Sequence, residues 1–433
     1  MRIKLFTITE RKNLFRKMPS KYKIISHSFL LFTLSLLLFL TFVSDCLPIN
    51  GDSAAYNQQI EDMNLHERTV HWGYIAVGIL FTRMMPLPID LSMNILAALL
   101  SAVGISATFL ICYKLTEDVL ASYFSAGILL SSKTFFENSV FTDVYQAQTV
   151  FILLAILFWL YQKSDLLTAV FFLVAQLMNP ITVVTIPLFF LRYFSYKRIL
   201  KCIFYILPLY IIFLYIYWND LWYSPRGVLG TTSYGIYNYF PFFWRLRDTL
   251  YHILYDFNYI IIFVIIGGLW MLLLKNYLFY KYLGLLSVMF IGLISCMPDN
   301  KFAKMQVFFP WLSITGGILV INLRNISSLK DKSKYINITL FIIVIFSIYK
   351  STCGVYKDKI SNELFKSLCE NVNKMTHKDY LIAGDWSSCL LYERYNFHRI
   401  YTEKTFYPTK HGFEDAVVNK NICVLDQRTK DLI

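Results

Sequence analysis

Residues 24–43 read IISHSFLLFTLSLLLFLTFV, a stretch whose only ionisable side chain is His27. A run of about 20 such residues is what a helix needs to cross a hydrocarbon core of roughly 30 Å. Lipid cannot satisfy an exposed backbone N–H or C=O, so a segment of this length must be helical. Further apolar runs fall near 91–112, 119–136, 146–161, 166–178, 181–195, 200–218, 257–274, 282–297, 306–322 and 336–350. The chain is therefore expected to be an all-α polytopic membrane protein of about eleven spans, with ten to twelve as the bounds. Asn179-Pro180 interrupts the 166–195 region, which reads either as two short spans or as one long helix kinked at proline. Composition agrees: 56% of residues are hydrophobic and only 16% charged, more apolar surface than a soluble chain can bury.

Basic residues set the orientation. Arg11, Lys12, Arg16 and Lys17 precede the first span, Arg192, Lys197, Arg198 and Lys201 lie near 195, and Lys330, Lys332 and Lys334 precede the last span. With the N-terminus cytoplasmic, all three groups fall inside, as the positive-inside rule requires. The net charge of +13 is then a topology signal beside anionic headgroups and calls for no nucleic acid. The first run follows a basic leader and has no small-residue cleavage site after it, so it reads as a retained signal-anchor.

Three regions divide the chain: a basic cytoplasmic N-terminus at 1–23, a transmembrane domain at 24–350 with outward loops at 45–90 and 219–256, and an outward tail at 351–433. In the tail, strand-like runs such as Tyr380-Leu-Ile-Ala and Ile422-Cys-Val-Leu alternate with a helix-like stretch from Ser361 to Met375. This pattern suits a small α/β domain. Its cysteines, Cys353, Cys369, Cys389 and Cys423, allow up to two disulfides in an oxidising compartment, or serve as small buried residues.

The first outward loop carries the sharpest chemistry. Asp52 follows Gly51, where the chain can turn tightly. A carboxylate at a membrane boundary is costly unless solvated or used. Asp52 suits a general base for an acceptor hydroxyl, a ligand for a divalent cation, or the cap of a short helix beginning near Ser53. Downstream, His71-Trp72-Gly73-Tyr74 opens an apolar stretch too short to span, which should lie in the outer interface. His71 there suits phosphate donation, proton transfer or simple anchoring. Glu137 and Asp143 add acids between the third and fourth spans. Lys301 and Lys304 add cations just before the Val307-Phe-Phe-Pro-Trp-Leu run, where they can hold a lipid-linked phosphate or stand solvated. The 219–256 loop is rich in Tyr, Trp and Phe and contains Arg226, Arg245 and Arg247. Such aromatics stack on sugars or form an interfacial belt, and arginines clamp phosphates. No metal-ligand spacing, phosphate-cradling glycine loop or nucleophile elbow occurs in the sequence, which weighs against a transport ATPase and a serine hydrolase.

Taken in order, Gly51-Asp52-Ser53, His71-Trp72-Gly73-Tyr74, Asn94-Ile-Leu-Ala-Ala and Thr142-Asp143-Val-Tyr resemble the GT-C superfamily of membrane glycosyltransferases. They are nearest its bacterial branch, with DSGEF-like, HPPGYP-like, NLLSA-like and EVYAL-like motifs. Lys304-Met-Gln-Val-Phe-Phe-Pro-Trp-Leu is similar to the entry into a late helix there, and Gly384-Asp385-Trp386 to a strand end. The likeness is continuous over 45–160 and patchy beyond. The chain departs from the pattern in lacking the HPPGYP prolines, in having Asp143 for the usual glutamate, and in having Ala54 where an acid is usual.

The resemblance implies a polyprenyl-phosphate sugar donor and transfer on the outer membrane face to a glycan, lipid or protein acceptor. Asp52 is then the base or metal ligand, with Asp143 as the second acid and His71 beside them. Lys304 and Lys301, with Arg226 and Arg245, bind the donor phosphate. Any cation would be divalent, Mg or Mn, on Asp52 and Asp143. Two other readings stay open: a cell-envelope polysaccharide polymerase, which would lean on Arg226, Arg245 and Arg247, and a transporter or flippase of a lipid-linked saccharide. Charges gathered at the outer boundary, away from the bilayer midplane, disfavour the last. The residue bias and the lack of outward sequons fit a bacterium, placing the protein in its inner membrane.

Overall fold

The structure is a computed structural model that describes residues 21–48, 53–63, 65, 71–190, 195–216, 242–258, 260, 285, 289, 292, 306–325, 333–375, 381–383 and 422–424. The expected spans at 257–274 and 282–297 fall almost entirely outside these residues. Four described helices have the length and apolar character to cross a membrane, over Tyr22–Leu40, Ile89–Thr116, Val144–Tyr161 and Asn337–Ser367. Val119–Leu130 and Asp165–Met178 are shorter apolar helices packed among them.

Helix α1 (Lys21–Leu40) is followed by two short helices, α2 (Ser53–Glu61) and α3 (Trp72–Met84), and then by α4 (Ile89–Thr116). We call the end of the bundle where α1 finishes the first-loop end. At the opposite end Glu117 adopts a left-handed conformation (φ 59°, ψ 19°), and its N–H donates to the Tyr113 carbonyl. Asp118 then caps α5 (Val119–Leu130), accepting from the Ala121 N–H at 2.9 Å. This tight turn makes α4 and α5 an antiparallel pair. The expected span 119–136 is thus a helix ending at Leu130, followed by a one-turn helix α6 (Lys133–Glu137), because Ser132 starts a new cap with its hydroxyl on the Phe135 N–H.

Helix α7 (Val144–Tyr161) returns to the opposite end, where Gln162 is again left-handed, and α8 (Asp165–Met178) starts from a Ser164 cap. Asn179 is extended (φ −158°, ψ 124°), as a residue before proline prefers, and Pro180–Phe190 continues as a 3₁₀ helix. Arg198, near the start of α9 (Tyr196–Ile216), forms an ion pair with Asp165 at 2.6 Å. It also donates to the Trp159 carbonyl and covers the Trp159 ring at 4.0 Å. The chain has therefore come back to the end where α8 began. The 166–195 region is two antiparallel segments broken at Asn179-Pro180, and the second is 3₁₀ rather than α.

Helix α10 (Phe242–Asp256) lies at the first-loop end. A single 3₁₀ turn, Gln306–Phe308, leads into α11 (Phe309–Asn325), whose Pro310 sits in the first turn, where its missing N–H costs nothing. Helix α12 (Ser333–Met375) has 43 residues, about 64 Å at 1.5 Å per residue and twice a ~30 Å hydrocarbon core. Its first half exposes Ile338, Phe341, Ile342, Ile345 and Phe346, a face suited to lipid. It then runs unbroken past residue 350, so the expected tail boundary at 351 lies inside one helix. The two strand-like runs of the tail do pair: β1 (Leu381–Ala383) and β2 (Ile422–Val424) are parallel, with Leu381 opposite Ile422. Cys353 is a free thiol on α12, so the four tail cysteines do not form two disulfides.

Between helices in lipid, association depends on close packing and hydrogen bonds rather than on the hydrophobic effect. Helices α5 and α11 show both. Ser125 Oγ donates to the Ser313 carbonyl at 3.1 Å, and Gly317 lies so near α5 that a Cβ would collide with Ser125 Oγ and the Ala121 carbonyl. Gln146 Nε2 donates to Ser101 Oγ between α7 and α4, and Gln148 Nε2 to Thr182 Oγ1 at 2.8 Å between α7 and the 3₁₀ segment. A Gly317→Val protein is expected to be destabilised by about 1–3 kcal/mol through forced separation of α5 and α11, read as a lowered melting temperature in lipid-containing detergent.

Candidate functional site

Asn94 lies in the second turn of α4 and is fully buried. A carboxamide is stable there only if its polar atoms are paired. Nδ2 donates to the carbonyls of Ser44 (2.8 Å) and Cys46 (2.9 Å), and Oδ1 accepts from the Thr142 N–H (2.8 Å). The first loop leaves α1 through residues 44–46, and Ser53, at the start of α2, donates its hydroxyl to the Thr142 carbonyl at 2.5 Å. The Thr142 peptide is thus held on both sides.

Asp143 follows immediately. It is extended (φ −151°, ψ 144°) and caps α7, with its carboxylate accepting from the Tyr145 N–H at 3.0 Å. The positive end of the α7 dipole favours its charged form. Tyr74 of α3 reaches the same place. Burial pushes its phenol far above the usual range, and the Asp143 charge pushes it further. The phenol consequently stays protonated at any physiological pH.

His71 precedes α3, with Nδ1 2.6 Å from the Met178 carbonyl. Only a protonated Nδ1 can donate to a carbonyl, so this contact puts a proton on Nδ1, and in the neutral ring Nε2 is then the acceptor. The His71 ring meets Tyr56 edge-on at 5.6 Å, and Tyr56 meets Tyr74 at 5.5 Å. His71 and Asp143 are therefore joined through two tyrosines around one locus. Beside it, Asn57 Nδ2 donates to Asp90 at 2.8 Å. Asp52, Lys301, Lys304 and Arg226 lie outside the described residues, as does the side chain of Arg245, whose backbone belongs to α10. Arg247 of α10 is exposed. Gln306, two residues after Lys304 in the sequence, accepts from Asn138 Nδ2 at 2.6 Å, so the 3₁₀ turn before α11 lies against the stretch that ends in Thr142-Asp143.

The same stretch carries a charged cluster that sequence reasoning did not assemble. Asp256, fully enclosed at the end of α10, accepts from Ser132 Oγ at 2.5 Å and from the Thr134 N–H at 2.8 Å. Lys133 pairs with Asp358 of α12 at 2.9 Å. Asn258 donates to Ser351 Oγ at 2.7 Å, and Ser351 to the Ser131 carbonyl at 2.6 Å. Lys366, further along α12, reaches Asp45 at 2.5 Å. Partly buried Glu137 sits among these groups. Burial pushes its carboxyl up to about 7, the charges of Asp358 and Asp256 add to that, and Lys133 opposes it. Burial also raises Asp256, against its hydrogen bonds from Ser132 and Thr134. Only Glu137 was visible beforehand, as an acid in an outward loop. Asp256 and Asp358 are recognisable only through partners more than a hundred residues away.

The helical bundle, its clamped first loop and its extended last helix define a multi-pass membrane protein with the GT-C fold. The chain superposes on ArnT from Cupriavidus metallidurans bound to undecaprenyl phosphate with a TM-score of 0.60, covering 94% of this chain and 91% of that one at 10% identity. For the apo state of the same protein the TM-score is 0.55, covering 92% and 89% at 10% identity. For the Archaeoglobus fulgidus oligosaccharyltransferase in its apo form it is 0.54, covering 93% and 69% at 10% identity. No family model matches the chain, and no curated protein matches it. The resemblance carried by short motifs over 45–160 thus extends, as a fold, to nearly the whole chain.

The Glu137 cluster makes the contact between α6 and α12 sensitive to pH. A carboxyl raised in the folded state contributes stability that is complete below its ordinary value of 4.5 and is lost as pH rises through about 7. Amide protection in residues 351–362 is expected to fall as pH rises from about 4.5 to about 7, by at most about 3 kcal/mol over that whole range. Hydrogen exchange on Glu137→Gln should show the dependence flattened.

Proposed function

We propose that the chain is an inverting glycosyltransferase that moves a sugar from a polyprenyl-phosphate donor to a cell-envelope glycan, lipid or protein acceptor. The observation that carries this reading is the likeness in fold, over more than nine-tenths of both chains, to a structure holding undecaprenyl phosphate. The clamping of the loop beside Asp52 against the peptide beside Asp143 supports it, because both acids of the motif series are led to one end of the bundle. With the N-terminus cytoplasmic, as the basic residues require, this end faces outward from a bacterial inner membrane.

In this reading an acceptor hydroxyl oxygen attacks the anomeric carbon as the bond from that carbon to the phosphate oxygen breaks. One displacement inverts the configuration and releases polyprenyl phosphate. Asp52 takes the hydroxyl proton or orients the hydroxyl. Asp143 supplies a second negative charge, held by the α7 N-terminus. His71, with its tautomer set by the Met178 carbonyl, presents Nε2 for a proton or a hydrogen bond. Negative charge grows on the departing phosphate, where fixed cations contribute most. Lys304 and Lys301, which precede Gln306 in the sequence, would take that role, with Arg226 and Arg245 from the aromatic loop assisting.

If a divalent cation takes part, Asp52 and Asp143 would hold it and it would neutralise phosphate charge. Among the described residues no group of three or more His, Cys, Asp or Glu could form a closed metal site. Two carboxylates completed by water and substrate phosphate suit Mg, which is usually held that way. The donor lipid keeps its tail in the bilayer throughout, so the sugar need not cross the membrane during the reaction.

The test is mass spectrometry of lipids that co-purify with the protein in mild, lipid-containing detergent, for the unsubstituted chain and Asp52→Asn. A prenyl phosphate is expected in the first and the sugar-loaded form in the second, with transfer reduced at least ~100-fold, the usual scale for losing a general base. Bulk phospholipid alone in both, or undiminished transfer by Asp52→Asn, would sink the assignment.

A further inference from the structure

The geometry points to Asn94 as a positioning residue for the transfer reaction, one that fastens the exit of the first loop, at the Ser44 and Cys46 carbonyls, to the Thr142 peptide that precedes Asp143. This inference rests on the transferase reading above. All three of the Asn94 bonds end on backbone atoms: the carbonyls of Ser44 and Cys46 and the N–H of Thr142. The orientation of its amide is unambiguous, since a flipped carboxamide would set oxygen against two carbonyls and NH₂ against an N–H. Because the partners are backbone, the side chains at 44, 46 and 142 matter little to the clamp. What is held is the path of the chain itself.

That path leads to the chemistry from both directions. The first loop is fastened at 44–46 by Asn94 and at Ser53 by the Thr142 carbonyl, with Asp52 one residue from the second fastening. Asp143 is one residue from Thr142 on the other strand of the clamp. Thr142 is thus the shared post, with its N–H held by Asn94 and its C=O by Ser53. Loss of Asn94 frees one side of the post and the Ser44 and Cys46 carbonyls, and leaves the α4 backbone, the Ser53 contact and the Lys366–Asp45 pair in place. Displacement of reacting groups by about 1 Å can cost ~10²-fold in rate, so the effect on rate should exceed any effect on donor affinity, which depends on the cationic segments.

The experiment compares the unsubstituted chain, Asn94→Ala and Asn94→Asp in lipid-containing detergent. Three quantities are measured: amide exchange, affinity for undecaprenyl phosphate, and consumption of the co-purified donor per folded molecule. Asn94→Ala is expected to lose protection in residues 43–48 and 141–145 together, with α5 and α9 unchanged. Donor consumption should fall about 10²-fold, with undecaprenyl phosphate affinity within about threefold, as for an interaction not made to the donor. Asn94→Asp, close in shape, should match Asn94→Ala at pH 8 and recover in part at pH 6. Its buried carboxyl then protonates, donates to one carbonyl and still accepts from Thr142. This variant carries the test if Asn94→Ala does not fold.

Unchanged protection in either loop overturns the inference, whatever the activity. So does lost protection with undiminished donor consumption, or an equal fall in consumption and in undecaprenyl phosphate affinity. An unsubstituted chain that consumes no donor removes the transferase reading and the role in transfer with it, and the exchange data then report on the clamp alone.

Discussion

The first-loop end of this protein is organised by one buried stretch, residues 131–143, whose polar groups cannot go to water. Ser131, Ser132, Ser139 and Thr142 are fully enclosed, as are Phe135 and Phe136. Each unpaired backbone or hydroxyl group in such a place would cost on the order of 1–3 kcal/mol. The stretch meets most of that demand by drawing in its surroundings: Asn258 and Ser351 on the Ser131 carbonyl, Asp256 on Ser132 and Thr134, Gln306 on Asn138, and Asn94 and Ser53 on the Thr142 peptide, with the Thr142 hydroxyl as the exception. Phe136 meanwhile packs edge-on against Phe39 and Phe42 at the end of α1. Six parts of the chain remote in sequence thus take their positions from one short linker.

The bilayer explains why so much of the helical frame was legible from sequence alone. A spanning segment has no conformational alternative to the helix, so hydropathy located α4, α7 and α8 to within a few residues. The errors arose where that constraint lapses. Pro180–Phe190 is apolar, but it follows a proline and holds Pro187 inside it, and it winds as 3₁₀. Residue 350 marks a change from lipid-facing to charged surface, and a change of surface does not end a helix that has neither a proline nor a glycine stop at that point. The two tail strands were visible as short runs of β-branched and aliphatic residues. Their parallel pairing was not, because register belongs to contacts between distant segments.

The site divides along the same line. Asp143 and His71 were found as acids and bases in motif positions. Tyr74 stood in the quoted His71-Trp72-Gly73-Tyr74 motif without a role of its own, and Tyr56, Asn57 and Asp90 drew no attention because nothing local marks them out in an interfacial segment. Asn94 stood in a quoted motif, yet nothing local tells a carboxamide that caps from one that joins two loops. Asp256 and Asp358 had no signature, since each is defined by Ser132, Thr134 and Lys133, which are far away in the chain.

The placement of charge separates the two ends of the bundle in kind. At the opposite end, Arg198 is committed three ways, to Asp165, to the Trp159 carbonyl and to the Trp159 ring, which closes the α7, α8 and α9 termini together. At the first-loop end, the pairs Lys133–Asp358 and Lys366–Asp45 tie the continuation of α12 to the linker and to the exit of the first loop. Between the ends, the polar contacts among the described helices include hydroxyls and carboxamides such as Ser125, Gln146 and Gln148, which bond to other hydroxyls or to backbone. A frame of this kind resists sliding of one helix bundle past another, the motion that alternating access requires. It suits a protein whose work is done at one end of the bundle.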